Sequence, residues 1–133
     1  MKKILLAYDG GEPARRALET AAELARAFHA SLSVVSVVPE GAGRRGGYPG
    51  DDTSTHAREL QEAKRLLAEM GLEVELLEPS GDPAGRIEQL AGEGGFDTIV
   101  LGSGRCDRWN RARHGSVSRH VVAHATATVV VAH

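Results

Sequence analysis

Residues 4–13 read Ile-Leu-Leu-Ala-Tyr-Asp-Gly-Gly-Glu-Pro (ILLAYDGGEP). Ile4 to Ala7 is a continuous apolar run, and Asp9, Gly10 and Gly11 close it with turn chemistry. A short apolar run without polar alternation suits a strand buried on both faces, as in a parallel sheet. Pro13 sits where the first turn of a helix tolerates a missing N–H. Beyond it Ala17, Leu18, Ala21, Ala22, Leu24, Ala25 and Phe28 recur at three- and four-residue spacing. Arg15, Arg16, Glu19, Glu23 and Arg26 fall between them, so the segment is an amphipathic helix.

The same alternation continues outward. Leu32 to Val38 is β-branched and predicts a second strand, ended by Pro39. From Glu40 to Thr53 five glycines, Pro49 and Asp51 predict a flexible loop. A surface connection is the favoured reading of that loop and a lid the alternative. Leu60, Ala63, Leu67 and Met70 mark a helix that Gly71 stops. Leu72 to Leu77 is the third strand. Asp82 and Pro83 form an N-cap and first-turn pair for a helix carrying Ile87, Leu90 and Ala91. Thr98 to Leu101 is the fourth strand, Ser103 to His114 a loop, Ser116 to about Ala125 a helix, and Thr128 to Ala132 the fifth strand. Strands alternating with helices imply an α/β fold: a doubly wound, mostly parallel sheet with helices on both faces. Ligands in such folds bind beyond the carboxyl ends of the strands. The positions of interest therefore follow Ala7, Val38 and Leu101.

Composition narrows the function classes. The chain has 133 residues, 41% hydrophobic and 26% charged, with a formal net charge of −2. One compact domain over residues 1–133 is expected, and disordered or collagen-like chains are excluded. One cysteine makes no internal disulfide, and no Cys/His spacing suggests structural zinc. The slightly acidic balance argues against nucleic acid as a partner. Apolar stretches are too short for a membrane span, and the run after Lys2 and Lys3 is too short for a signal peptide. A cytoplasmic location is the default expectation.

Several nucleotide signatures fail. Lysine occurs at positions 2, 3 and 64 alone, so there is no Walker A loop. The pair Gly102 and Gly104 has Asp107 where a Rossmann fingerprint needs its third glycine, and neither GxSxG nor HExxH occurs. The informative stretch is Gly102 to Ser118, GSGRCDRWNRARHGSVS. It leaves a buried strand through Gly102 and enters a helix through Gly115 and Ser116, a natural N-cap whose free amides suit an anion. Arg105, Arg108, Arg111 and Arg113 face a single acid, Asp107, and guanidiniums there suit a polyphosphate. A solvated basic loop is the competing reading.

Together, ILLAYDGGEPARRAL, GDPAGRI, FDTIVLGS and the closing GSVS and VVVA resemble the universal stress protein family along the whole chain, most weakly over residues 40–53. Nucleotide-binding members carry Gly-x2-Gly-x9-Gly-Ser/Thr after strand four. Gly102, Gly115 and Ser116 match that pattern in spacing, whereas Arg105 stands at the second glycine, beside Gly104. The resemblance implies a Rossmann-like five-stranded sheet in the order 3-2-1-4-5. It also implies ATP, ADP or AMP, with Mg2+ as an option, as ligand. Asp9, flanked by Ala7 and Tyr8, would meet the nucleoside, and Val37 or Val38 would line the adenine pocket. Gly102, Gly104, Gly115, Ser116, Val117 and Ser118 would hold ribose and phosphates. Arg105 would either obstruct the phosphates or contribute charge to them. A homodimer paired through the last strand is the implied assembly.

The resulting reading is an adenine-nucleotide-binding stress protein with a regulatory role. A binding module is preferred to an enzyme, slow ATP hydrolysis being the alternative, because no general base or nucleophile is recognisable. A second alternative is a family member without nucleotide, acting as a dimeric interaction module. Asp9 has a competing role as a cap for the first helix through Glu12 or Pro13. His120 and His124 are spaced i, i+4 but lack a third ligand nearby in sequence, so they read as an ordinary exposed pair and no metal is expected. Cys106 reads as a plain loop thiol, and Trp109 as packing of the loop on the sheet edge.

Overall fold

A computed structural model describes residues 1–38, 53–103 and 117–133. Within these residues strands and helices alternate: β1 (Lys3–Ala7), α1 (Glu12–Phe28), β2 (Ser31–Val35), α2 (Thr53–Glu69), β3 (Val74–Leu77), α3 (Pro83–Glu93), β4 (Thr98–Gly102), α4 (Val117–His124) and β5 (Thr128–Ala132). The strands form one sheet in the order β3-β2-β1-β4-β5, and every pairing is parallel.

The register explains the apolar runs. Leu76, Val34, Leu6, Val100 and Val130 stand side by side across all five strands. They belong to a core that α1 and α2 cover, together with Ile4, Tyr8, Leu18 and Leu67. One residue along, Val35 pairs Ala7 and Leu77, and Leu101 pairs Val131, on the opposite face. There α3 and α4 close a second core through Ile87, Ala91, Val117 and Val121. Because side chains alternate faces with period two, a strand between two helical layers must be apolar at every position. In the central strand Ile4, Leu5 and Leu6 are therefore fully buried.

Helix boundaries follow local chemistry. Asp82 Oδ2 accepts from the Gly85 N–H at 3.0 Å, the N-cap bond that the Asp-Pro pair predicts. Gly71, at φ +82°, reverses the chain after α2, and the Leu72 N–H closes onto the Leu67 carbonyl at 2.9 Å. At the amino edge of the sheet Asp97 accepts from the Lys2 N–H at 2.7 Å and the Thr98 hydroxyl at 2.8 Å. These bonds hold its carboxyl below the usual aspartate range.

Several boundaries differ from expectation, most of them by one residue. β2 ends at Val35, not Val38, because Pro79 has no N–H to return a bond and so interrupts the β2–β3 ladder. The Ser36 and Val38 N–H groups donate to the Leu77 and Pro79 carbonyls, and Val38 makes an isolated bridge to Ser80. β3 starts at Val74, since Leu72 is spent on the turn closing α2. Thr53, read as the last loop residue, is the first of α2. The loop expected from Glu40 lies outside the described residues up to position 52, as does the Ser103–His114 loop beyond Ser103.

Candidate functional site

The strand order reverses at β1. The crossover through α1 carries the chain from β1 to β2 on one side, while β4 pairs with β1 on the other. Adjacent connections then leave in opposite directions and open a crevice at the carboxyl ends of β1 and β4. Each edge of that crevice is built from residues noted in the sequence.

On the β1 side Ala7 and Asp9 are buried, with 1% and 2% of their surface exposed. Asp9 Oδ1 accepts from the Gly11 N–H at 3.0 Å, an Asx turn that shapes the approach to α1. The competing role as a helix cap takes another form. Gly11 is the N-cap residue, and it has no side-chain capping bond. Gly10 adopts φ +81°, a conformation that favours glycine, and a Cβ there would meet the Glu59 carboxylate at 3.0 Å.

On the β4 side Gly102 lies directly under the first turn of α1. A Cβ at Gly102 would come within 2.6 Å of the Pro13 carbonyl carbon and 2.7 Å of its oxygen. The missing side chain thus allows α1 to begin against the end of β4. The first turn of α4 completes the rim, with Val117 and Ser118 buried. Val117 and Val37 share one apolar cluster with Ala7 and Leu101.

Tyr8 faces the other way. Its ring is fully buried in the α1/α2 core, and its hydroxyl reaches Glu62 Oε1 at 3.4 Å, where the Arg15 guanidinium also donates at 3.0 Å. Burial, and then the Glu62 charge, push the phenol above its ordinary value, so Tyr8 stays a neutral donor. Val38 is bonded into the β2–β3 extension. The fold thus brings Ala7, Asp9, Val37, Gly102, Val117 and Ser118 to one end of the sheet. Gly104, Arg105, Gly115 and Ser116 lie outside the described residues.

A buried polar group beneath this rim was not legible as a site. Ser36 Oγ and His56 Nδ1 are 2.8 Å apart, both residues fully buried, and Glu59 Oε2 lies 3.7 Å from the same nitrogen. This group ties α2 to the stretch after β2, while Glu59 also backs Gly10. A faint signal existed. His56 precedes Leu60, Ala63 and Leu67 on the same helical stripe, so a polar residue stood on an apolar face. The group differs from a nucleophile–base pair in one decisive respect: the hydroxyl is sealed from solvent.

Comparison with known proteins places this geometry. A sequence model described as Universal stress protein family matches residues 1–133. Universal stress protein YxiE of Bacillus subtilis (strain 168) is 29% identical over 143 residues, covering 97% of each chain. Among solved structures, universal stress protein UspA from Lactobacillus plantarum superposes with a TM-score of 0.76 at 25% identity, over 99% of this chain and 97% of that one. A universal stress protein from Archaeoglobus fulgidus in complex with dAMP superposes with a TM-score of 0.77 at 28% identity, over 100% and 98%.

Proposed function

Since the chain belongs to the universal stress protein family, we propose that it binds an adenine nucleotide in the crevice at the ends of β1 and β4 and acts as a regulatory stress protein. The observation that carries this reading is the convergence of Asp9, Gly102 and the first turn of α4 at the point where the strand order reverses. The dAMP complex of the Archaeoglobus fulgidus relative supports the ligand class. Asp9 meets the nucleoside, Ala7 and Val37 flank the base, and Gly102, Val117 and Ser118 border the ribose and phosphates. Gly115 and Ser116 complete the phosphate site by their place in the sequence motif, with Arg105 at the second glycine position and Gly104 beside it. Mg2+ accompanies a di- or triphosphate.

Calorimetric titration with ATP, ADP and AMP tests this. Saturable binding is expected, and Gly115→Val abolishes it with the thermal midpoint retained, because the new side chain crowds backbone that approaches the ligand. Arg105→Gly restores the family spacing and moves the affinity: tighter binding identifies Arg105 as an obstruction, weaker binding as a phosphate ligand. Absence of heat with all three nucleotides overturns the reading and favours the dimeric interaction module.

The proposed assembly is a homodimer through β5. This strand pairs β4 on one side and ends the sheet on the other, and Val129 to Ala132 are only half-buried. An apolar, β-branched edge with unpaired backbone groups is a template for pairing with a second copy. Light scattering at micromolar concentration is expected to return twice the 14.1 kDa chain mass, and a value near 14.1 kDa overturns the dimer.

A further inference from the structure

We propose that Glu88, His120 and His124 form a binding site for a divalent transition-metal ion of the zinc class, bridging α3 and α4. In sequence the two histidines lack a third ligand. The fold supplies one by packing α3 beside α4, which sets one potential ligand atom from each of the three residues within 4.8 Å of the others. Donors each about 2.0–2.1 Å from a tetrahedral ion stand about 3.3 Å apart, so small side-chain rotations close the site.

Three details favour a metal over an incidental cluster. First, the i, i+4 spacing sets the two imidazoles edge to face on one side of α4, with ring centroids 4.2 Å apart. Second, His124 Nδ1 lies 2.9 Å from the His120 carbonyl. A carbonyl only accepts, so Nδ1 carries the proton and the lone pair of neutral His124 is on Nε2. This is the backbone anchoring that orients metal-ligating histidines. Third, Glu88 Oε1 is buried without a hydrogen-bond partner among the described residues. A buried carboxylate oxygen left unpaired is costly, and a cation is the partner that satisfies it.

The donor set decides the ion class. Two imidazoles and one carboxylate select borderline ions such as Zn2+ or Co2+, whereas Mg2+ and Ca2+ prefer oxygen donors alone. Three protein ligands leave the fourth position to water, and the partly exposed histidines give the ion access from solvent.

Titration of the metal-free protein with Zn2+ in a calorimeter, and with Co2+ followed by visible absorption, tests the site. One equivalent of saturable binding with an intense tetrahedral cobalt spectrum is expected. The double variant His120→Gln, His124→Gln loses it, Glu88→Gln weakens it measurably, and His133→Gln leaves it unchanged. In wild-type protein, Zn2+ is expected to shift the ring resonances of His120 and His124 in NMR spectra, which gives a readout independent of how the variants fold. No saturable binding, binding that survives the double variant, wild-type affinity in Glu88→Gln, or unshifted ring resonances each overturns the proposal.

Discussion

Gly102→Val is expected to destabilise the fold by about 2–3 kcal/mol, read as a fall in the urea midpoint at unchanged slope. The atoms a Cβ would strike at 2.6–2.7 Å are the Pro13 backbone carbon and oxygen and its Cβ, and none is the tip of a flexible side chain. Relief requires α1 to lift from the end of β4, and α1 carries Ala14, Ala17, Leu18, Ala21, Ala22 and Ala25 into the core. Gly102→Ala already introduces the clashing atom and shows most of the effect. Gly92 in α3 is the internal control, since a Cβ there meets nothing within 4 Å. Replacing that helical glycine by alanine is expected to be neutral or stabilising by up to about 1 kcal/mol. A Gly102→Ala protein with the wild-type midpoint would show that α1 does not depend on this close approach.

Leu6→Ala is the second large effect, with an expected loss of about 2–5 kcal/mol. Leu6 is fully buried in the central strand, between Val34 and Val100 in the register and under the α1/α2 layer. Its neighbours on both sides are held by the sheet, so the cavity left by truncation cannot readily collapse. Leu76 occupies the same row on the edge strand β3 and is only partly buried. Leu76→Ala is therefore expected to cost less than half as much, because solvent and edge motion fill the gap. Chemical denaturation of the two variants side by side checks the ratio, and equal losses would contradict the central-to-edge gradient of burial.

Much of the fold is legible along the chain because its signals are local. Apolar runs at Ile4–Ala7 and Thr98–Leu101 demand a strand covered on both faces, and the stripe from Ala17 to Phe28 demands a helix with one buried side. Asp82 and Gly71 announce the start of one helix and the end of another through chemistry that involves only their near neighbours. Four stretches spread along the chain, from ILLAYDGGEPARRAL to the closing VVVA, led to the family and, through it, to the strand order. Boundaries set by long-range pairing were harder. β2 stops at Val35 because Pro79, which the register sets opposite its continuation, has no N–H to give, a partner invisible in an uninterrupted β-branched run.

By itself, then, the sequence determined the alternation of strands and helices and the Asp82 cap, and it pointed to the end of the sheet at which the proposed ligand site lies. Each depends on periodicity or turn chemistry within a few residues. Tertiary structure alone decided what met across the fold. It turned the Tyr8 ring into the α1/α2 core, away from Ala7, and pressed Pro13 onto Gly102. It buried His56 against Ser36 and carried Glu88 to His120 and His124. The physical reason is common to all four. Side-chain partners contributed by different elements are selected by sheet register and helix packing, which arise only when the two cores close.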